Sequence, residues 1–168
     1  TTFTYTYDLN GNQATRSDGR TYTYSSENQL AQVTFPGTTA GYTYDGLGRR
    51  IQKTVNGVST RYVYDQEDIL LEYDGSNILK ARYTHGAGID EPLMMERDTD
   101  ASGTFEATER FTYHTDGLGS VTEISDNTGT VVRSYLYDAF GQIAAQTGTL
   151  ANPYAFTARE LDPETGLS

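Results

Sequence analysis

Several residue types are absent or scarce in this chain of 168 residues, and each absence excludes a class of protein. There is no cysteine, so neither a disulfide framework nor a thiolate zinc site can form. Lysine and arginine number 12 against 23 aspartates and glutamates, which leaves a formal charge of -11. No apolar run approaches the ~20 residues of a membrane-spanning helix, and no signal-peptide pattern opens the chain. We therefore expect neither nucleic acid nor a membrane among its partners.

Tyrosine and glycine are abundant instead, with 14 Tyr and 17 Gly beside 6 Phe and no Trp. This composition favours aromatic β-strands separated by glycine-containing turns. A triplet of aromatic, any residue, aromatic recurs roughly every twenty residues, which indicates an internal repeat. The triplets are Tyr5-Thr6-Tyr7, Tyr22-Thr23-Tyr24, Tyr42-Thr43-Tyr44, Tyr62-Val63-Tyr64, Phe111-Thr112-Tyr113 and Tyr135-Leu136-Tyr137, with a degenerate copy at Tyr83-Thr84-His85.

The dipeptide Asn56-Gly57 indicates what one period of the repeat is. Both residues tolerate the positive φ of a type I′ turn, so we predict a two-residue hairpin loop here. That loop places Val55 opposite Val58 and Ile51 opposite Tyr62. Because side chains alternate along a strand, two faces follow. The apolar face carries Ile51, Val55, Val58, Tyr62 and Tyr64, and the other face carries Gln52, Thr54, Ser59 and Arg61.

The aspartate that follows most triplets is predicted to begin the next turn. Segments such as Asp45-Gly46-Leu47-Gly48 have the composition of turns. The repeated unit is then a β-hairpin, which must stack on its neighbours because a lone hairpin is marginal in water. Alternation alone also fits an ordinary antiparallel sandwich, but the fixed triplet favours a repeat sheet. The aspartates after triplets are Asp8, Asp45, Asp65 and Asp138.

Four segments resemble the YD repeats of the Rhs family: "YDLNGN", "YTYDGLGRRIQKTVNG", "YVYD" and "YLYDAFGQI". That family includes bacterial Rhs polymorphic toxins, the C component of toxin complexes, and animal teneurins. The stretch "YHTDGLGSVTEISDNTGTVVRSYLYDAFGQI", continued by "NPYAFTARELDPETGL", is similar to the Rhs-associated core. Together these segments cover nearly the whole chain, with residues 86–108 the least repeat-like.

The resemblance implies an all-β fold in which repeated antiparallel β-hairpins form a curved, open strip, a slice of a hollow shell. We expect hairpins over residues 1–85, an irregular acidic hairpin or insert over 86–110 and the front part of the core over 111–168, in a single structural domain. The implied function is non-enzymatic: a structural segment that encapsulates or presents a C-terminal cargo or toxin domain. Its partner is then the rest of its own polypeptide, and it is secreted or lies on a bacterial cell surface.

Two other functions remain open at this stage. An adhesive or carbohydrate-binding surface module would use exposed tyrosines to stack on glycans, although the repeat more simply makes them packing residues. An autoprotease would need residues that the sequence lacks, because Asp162 resembles the aspartate of only the first of two Asp-Pro-x-x-Gly elements. We expect Asp162 to be inactive, since nothing evident would bury it. The unpaired edges of an open sheet also predict self-association through edge strands.

An acidic loop from Asp98 to Glu109 matches the spacing of a calcium-binding loop. Gly103 lies at position 6, where such loops turn sharply. The flanking sequences read as strands, however, and a polar loop between two strands needs no metal, so both interpretations stay open. The metal ligands would be Asp98, Asp100, Ser102, Thr104 through its carbonyl, Glu106 and Glu109.

The two histidines, His85 and His114, lie at or beside aromatic repeat positions. Neither belongs to a metal-binding spacing such as His-x-x-x-His, so we interpret both as structural. The glycines of "DGLGR" and "DGLGS" lack the lysine and helix of a phosphate-binding loop and are interpreted as turns.

Overall fold

The computed structural model describes residues 2–165 and shows an all-β protein of antiparallel strands joined in chain order. The strands are Tyr5–Tyr7 (β1), Gln13–Arg16 (β2), Arg20–Tyr24 (β3), Leu30–Phe35 (β4), Thr38–Tyr44 (β5), Arg50–Val55 (β6), Val58–Asp65 (β7), Asp68–Asp74 (β8), Leu79–His85 (β9), Pro92–Arg97 (β10), Arg110–Thr115 (β11), Val121–Ser125 (β12), Val131–Tyr137 (β13) and Ile143–Thr147 (β14). Hydrogen-bonded neighbours follow one another from β1 to β14, and this confirms the predicted open sheet of repeated hairpins.

Helical structure in the described part of the chain is confined to two 3-10 turns, Ala107–Glu109 and Phe156–Ala158. Within residues 2–165 no helix has the length and apolarity needed to cross a membrane. The chain divides into two compact units, residues 1–62 and 63–168. The stretch 86–110, expected to be irregular, contains β10 and the first 3-10 turn. The domain boundaries drawn from the sequence stay predictions.

The repeat triplets place their aromatic residues on one face of the strands and their middle residue on the other. The middle residue of each triplet from the second onward, such as Thr43, is exposed. In the first unit Tyr22 and Tyr42 enclose Val33 and Ala40, which are fully buried. The alternation predicted from the sequence is therefore present. The first aromatic residues, at 3% to 8% exposure, are Tyr22, Tyr42, Tyr62, Tyr83, Phe111 and Tyr135.

The first triplet is different, because Tyr5 and Tyr7 are 45% and 62% exposed. Their strand, β1, has a hydrogen-bonded neighbour on one side only. A tyrosine on this strand therefore lacks one of the two flanking rows of side chains that cover Tyr22 and Tyr42. Burial of a repeat position depends on having a neighbouring hairpin on both sides.

Replacing Tyr42 with alanine is expected to lower the free energy of unfolding by about 3 to 5 kcal/mol, the range for deleting a buried aromatic side chain. Tyr42 is 8% exposed and belongs to the core of the first unit. Thr43→Ala, one residue along on the exposed face, is the control and should change stability by less than about 0.5 kcal/mol. Urea denaturation measures both. Equal losses would contradict the assignment of faces.

The Asn56-Gly57 hairpin has the predicted turn and register. Asn56 and Gly57 have φ of 48° and 86°, as a type I′ turn requires, and Val55 lies opposite Val58. The register places Val58 on the predicted face, but this residue is not buried with the others, since it is 73% exposed directly after the turn. The Asn56 side chain instead ties this turn to the preceding one, since its Oδ1 accepts from the Thr39 N–H at 2.8 Å.

An aspartate at or directly after the end of a strand, including three of the four that follow triplets, holds the turn that comes next. In each case Oδ1 accepts hydrogen bonds at 2.8 to 3.0 Å from the backbone N–H groups two and four residues ahead. The residue three positions ahead has a positive φ, and the strand register shifts beside the turn, as in the three-to-five-residue hairpin loops that end in a bulge. The aspartates are Asp8, Asp45, Asp74, Asp116, Asp126 and Asp138. Asp65 is the exception, since it ends β7 before a two-residue turn.

In the triplets that end at Tyr24, Tyr44 and Tyr137, the second tyrosine has a hydrogen bond of its own. Its hydroxyl donates to the backbone carbonyl of the first residue of the preceding strand: Tyr24 to Gln13 at 3.1 Å and Tyr44 to Leu30 at 2.9 Å. Tyr137 donates in the same way to Val121 at 2.6 Å. This bond occupies a carbonyl next to the bulge, where the regular ladder is interrupted. It gives a physical reason why the repeat uses tyrosine here.

Acid is expected to weaken the fold through these turns. Hydrogen bonds from Asn12, Arg49 and Thr128 lower the pKa values of Asp8, Asp45 and Asp126, respectively. A lowered pKa contributes stability that is present above the pKa of the unfolded chain, about 3.9, and is lost as the pH falls through the folded value. The contribution of these turns to the free energy of unfolding should therefore be level above about pH 5 and should fall below about pH 4.

Urea denaturation between pH 7 and pH 2 measures this dependence. In the triple variant Asp8→Asn, Asp45→Asn, Asp126→Asn each amide oxygen can still accept the turn hydrogen bonds but cannot titrate. Its stability should fall less steeply between pH 4 and pH 2 than that of the unaltered protein. The same slope in both proteins would show that other carboxylates cause the loss.

Candidate functional site

In the second unit, the segment 152–160 lies against the aromatic face of the strands. The Tyr154 ring meets Tyr83, His85 and Tyr113 edge-to-face, with centroids 5.5, 5.6 and 5.9 Å away. Such tilted contacts are the favourable arrangement for aromatic rings. Tyr154 is 5% exposed, and its burial raises the pKa of its hydroxyl. The polypeptide after β14 thus returns across β9 and β11 on the apolar face of the repeat.

Asn152 anchors the start of this segment to repeat tyrosines. Its Oδ1 accepts from the Tyr113 hydroxyl at 2.8 Å, and its Nδ2 donates to the Tyr135 hydroxyl at 3.2 Å. The same Oδ1 accepts from the Tyr154 N–H at 3.2 Å, which closes a short turn. One amide therefore joins two strands to the returning segment.

The end of the segment is held by backbone and side-chain contacts to β12 and β13. The Ala155 carbonyl accepts from the Val121 N–H at 3.0 Å, and the Phe156 ring lies edge-to-face on Tyr137 at 5.6 Å. The segment "NPYAF" resembles the family core, but the sequence did not predict that it packs on the tyrosines. The signal for this packing was Tyr154, an aromatic residue that follows Asn152 and Pro153 after the last strand.

A buried polar network joins β8, β9 and β10 beneath this segment. The Tyr83 hydroxyl donates to Glu72 Oε1 at 2.7 Å, and Arg97 Nη2 donates to Glu72 Oε2 at 2.7 Å. Arg97 Nη2 also donates to the Tyr83 hydroxyl at 2.7 Å. Burial is the strongest influence on Arg97 and alone would lower its pKa, but Tyr83 and Glu72 reverse that effect and raise the pKa. The arginine therefore stays charged within the sheet.

The two histidines have partners on the protein. His85 Nε2 lies 3.1 Å from the Tyr154 hydroxyl, and burial lowers the pKa of its ring against the opposing effect of Asp68 and Asp90. His114 is exposed, and its Nε2 lies 2.8 Å from Ser125 Oγ. Both contacts are of the kind that a structural histidine makes.

Asp162 is buried, at 7% exposure, which contradicts the expectation that nothing would cover it. The chain before it forms a small hairpin, in which Tyr154 bridges Glu160 and the Leu161 N–H donates to the Pro153 carbonyl at 2.7 Å. Gly166, the last residue of the Asp-Pro-x-x-Gly element, lies outside the described residues.

The acidic loop brings together three of its six predicted metal ligands. Carboxylate oxygens of Asp98, Asp100 and Glu109 lie within 4.8 Å of one another. Asp98 and Glu109 are buried and Asp100 is exposed. The flanks are the strands β10 and β11, as the sequence predicted, and the last ligand position falls on a 3-10 turn.

The other three predicted ligands have different surroundings. The Ser102 hydroxyl lies 2.9 Å from that of Thr104, and both residues are exposed. The Glu106 side chain is also exposed, while its N–H donates to Glu109 Oε2 at 3.2 Å. Of the six predicted ligands, the three carboxylates of Asp98, Asp100 and Glu109 form the cluster, and the six-ligand site stays a prediction.

The fold and these sites can be compared with those of known proteins. The whole chain, residues 1–168, matches the family described as Teneurin YD-shell. It is 38% identical over 170 residues to the tRNA(Glu)-specific nuclease WapA of Bacillus subtilis subsp. natto, and 37% identical to the tRNA nuclease WapA of Bacillus subtilis strain 168. Each match covers 96% of this chain but 7% of the relative. The chain thus spans a small part of the curated relatives it matches.

The strands also superpose on a solved structure, the Photorhabdus luminescens Tc holotoxin pore. The TM-score is 0.69 at 19% identity, covering 94% of this chain and 8% of that one, and it supports the fold alone. The sequence matches carry the assignment further, because the family covers the whole chain and the relatives are 37% and 38% identical over 96% of it. This chain belongs to the Teneurin YD-shell family and is a shell segment of the Rhs type.

Proposed function

We propose that this chain is part of the wall of a shell that encloses a C-terminal cargo polypeptide of the same protein. The observation that carries the proposal is the position of segment 152–160 on the aromatic face. The chain itself thereby demonstrates that this face can accept polypeptide, through Tyr154 stacking and the amide of Asn152. Polypeptide that follows would continue from the same side of the sheet.

The catalytic activity of the parent protein would then reside in its cargo domain and not in this chain. The relatives are named as tRNA nucleases, but the chain matches 7% of their length. The wall would supply packing and hydrogen bonding, which the buried repeat residues are suited to provide. Its expected surroundings are those of a delivered toxin, secreted or on a bacterial cell surface.

The adhesive alternative is less well supported by the described residues. Stacking on a sugar ring needs an exposed aromatic face, whereas the first aromatic of every triplet from Tyr22 onward is buried. The edge strands β1 and β14 are each paired on one side. We propose that these edges pair with adjoining repeats of the same polypeptide, and that chains lacking those repeats self-associate through them.

Protection of the cargo from protease tests the proposal. The protein to use is the longer polypeptide in which this chain is followed by its natural C-terminal domain, with an epitope tag at the end of that domain. Limited proteolysis should leave the tag intact under native conditions. Enough urea to unfold the shell should make it accessible. Digestion of the cargo at the rate of the isolated C-terminal domain would contradict enclosure.

Two variants separate enclosure from general stability. The double variant Asn152→Ala, Tyr154→Ala removes the anchors of the returning segment and should expose the tag at lower protease concentration. Leu136→Ala alters a side chain that is 63% exposed on the opposite face and should leave protection unchanged. Equal sensitivity of the two variants would show that the aromatic face has no role in holding the polypeptide.

A further inference from the structure

The acidic loop between β10 and β11 has the distances of a cation site. Two oxygens bound to one Ca²⁺ at 2.3 to 2.6 Å can be no more than about 5 Å apart. The carboxylate oxygens of Asp98, Asp100 and Glu109 lie within 4.8 Å of one another and satisfy this limit. An acidic cluster alone is not a site, however, because exposed carboxylates often gather without a ligand.

A second observation concerns the Asp98 carboxylate. Its side chain is fully buried, and its Oδ2 accepts hydrogen bonds from Lys80 Nζ and from the Gly103 N–H. Its Oδ1 is also buried but has no hydrogen-bond partner among residues 2–165. A buried carboxylate oxygen without a partner carries a desolvation penalty of several kcal/mol at the upper end. A cation is the ligand that would satisfy it together with its two acidic neighbours.

Glu109 is positioned for the same ligand. The Thr99 N–H and hydroxyl donate to its Oε1, and the Glu106 N–H donates to its Oε2 at 3.2 Å. Those bonds hold the carboxylate in place at the end of the loop, with Thr99 Oγ1 at 2.8 Å from Oε1. Lys80 Nζ and the Gly103 N–H hold the Asp98 carboxylate in the same way.

The net charge of the cluster favours a divalent cation. Three carboxylates and the ammonium of Lys80 sum to a charge of about minus two, and the lysine occupies Oδ2 rather than Oδ1 of Asp98. All three donors are carboxylate oxygens, which hard cations such as Ca²⁺ and Mg²⁺ prefer. Mg²⁺ binds at 2.0 to 2.1 Å in a strict octahedron. Carboxylate oxygens that lie up to 4.8 Å apart fit the longer metal–oxygen distances of Ca²⁺ better.

We propose that Asp98, Asp100 and Glu109 bind one Ca²⁺ and thereby close the loop between β10 and β11. The site goes beyond the shell function and does not depend on it. The proposal rests on these three carboxylates alone, because Ser102, Thr104 and Glu106 do not belong to the cluster of carboxylates within 4.8 Å. Water completes the coordination on the exposed side, where Asp100 lies. With three protein carboxylates the affinity should be that of weak extracellular sites, about 10⁻⁴ to 10⁻³ M.

Calorimetric titration with CaCl₂ and thermal unfolding test the site on this chain. A single site with a Kd of about 10⁻⁴ to 10⁻³ M is expected. At free calcium about ten times the Kd, the melting temperature should rise by about 3 to 6 °C through mass action. Equal MgCl₂ and an NaCl solution of matched ionic strength should give smaller shifts, which separates binding from the screening of a chain with charge -11.

Asp100→Asn is the decisive variant, because Asp100 is exposed and its amide can still accept the 2.9 Å hydrogen bond from the Ser102 N–H. Affinity should fall at least tenfold while the melting temperature without calcium stays the same. Glu109→Gln should lose binding as well. Glu106→Gln, which removes one charge from the same loop outside the cluster, should bind within about threefold of the unaltered chain. Equal effects of Asp100→Asn and Glu106→Gln, or equal shifts with calcium and magnesium, would overturn the proposal.

Discussion

Replacing Glu72 with alanine is expected to lower the free energy of unfolding by about 3 to 5 kcal/mol, because it leaves a buried charge without its partner. Glu72 is 6% exposed and accepts hydrogen bonds from Arg97 and from the Tyr83 hydroxyl, both at 2.7 Å. These three residues lie on three consecutive strands. Without the carboxylate, the Arg97 guanidinium stays buried in the sheet. The Tyr83 hydroxyl and the Met95 sulfur are then its remaining contacts.

Urea denaturation with a matched control measures this loss. Glu67→Ala removes the same side chain from an exposed position of the same unit and should change stability by less than about 0.5 kcal/mol. Glu72→Leu combined with Arg97→Met removes both charges and fills the space with apolar groups, so it should be more stable than either single variant. A double variant as unstable as the sum of the two single changes would show that the two charges do not interact.

Gly148→Ala is expected to destabilise the second unit by about 2 to 5 kcal/mol, because the backbone there has no room for a side chain. Gly148 follows β14 with a φ of +74°, a conformation that disfavours alanine by about 1 to 2 kcal/mol. A Cβ at this position would lie 1.9 Å from the Val132 carbonyl oxygen. Backbone cannot rotate away as a flexible side chain can, so β13 must shift.

Gly129→Ala separates the two contributions. Gly129 has a similar φ of +84°, but a Cβ there would meet nothing within 4 Å. It should lose only the backbone part, about 1 to 2 kcal/mol. Thermal and urea unfolding of both variants then give the effect of the close approach to Val132 as their difference. Equal losses would mean that the chain around Gly148 relaxes without strain.

The regular parts of the fold could be predicted because their causes are local in sequence. The Asn56-Gly57 turn fixes a register, and a triplet fixes which side chains share a face; neither depends on distant residues. The exposure of Val58 was not predicted, because alternation says which face a residue lies on but not whether a neighbouring hairpin reaches it. Tyr5 and Tyr7 are exposed for the same reason.

The candidate sites were harder to predict because they depend on contacts between segments far apart in the chain. The approach of Tyr154 to Tyr83 joins residues about seventy positions apart, and no spacing in the sequence encodes it. Asp162 is buried after a small hairpin, which was missed because its strands are too short to show periodicity. The acidic loop was recognised from its spacing, but which of its carboxylates lie close together depends on how the strand flanks place them, and spacing alone does not give that.

The order of the strands has a consequence for how the protein is made. Within each unit a strand pairs with the strands before and after it in the chain, and each aspartate turn closes through hydrogen bonds within five residues. Structures rich in such short-range contacts fold quickly, because little loop entropy is lost before contacts form. Hairpins can therefore be added one after another as the polypeptide leaves the ribosome. Segment 152–160 can dock only after β9, β11 and β13 have formed, because these strands make up its binding surface.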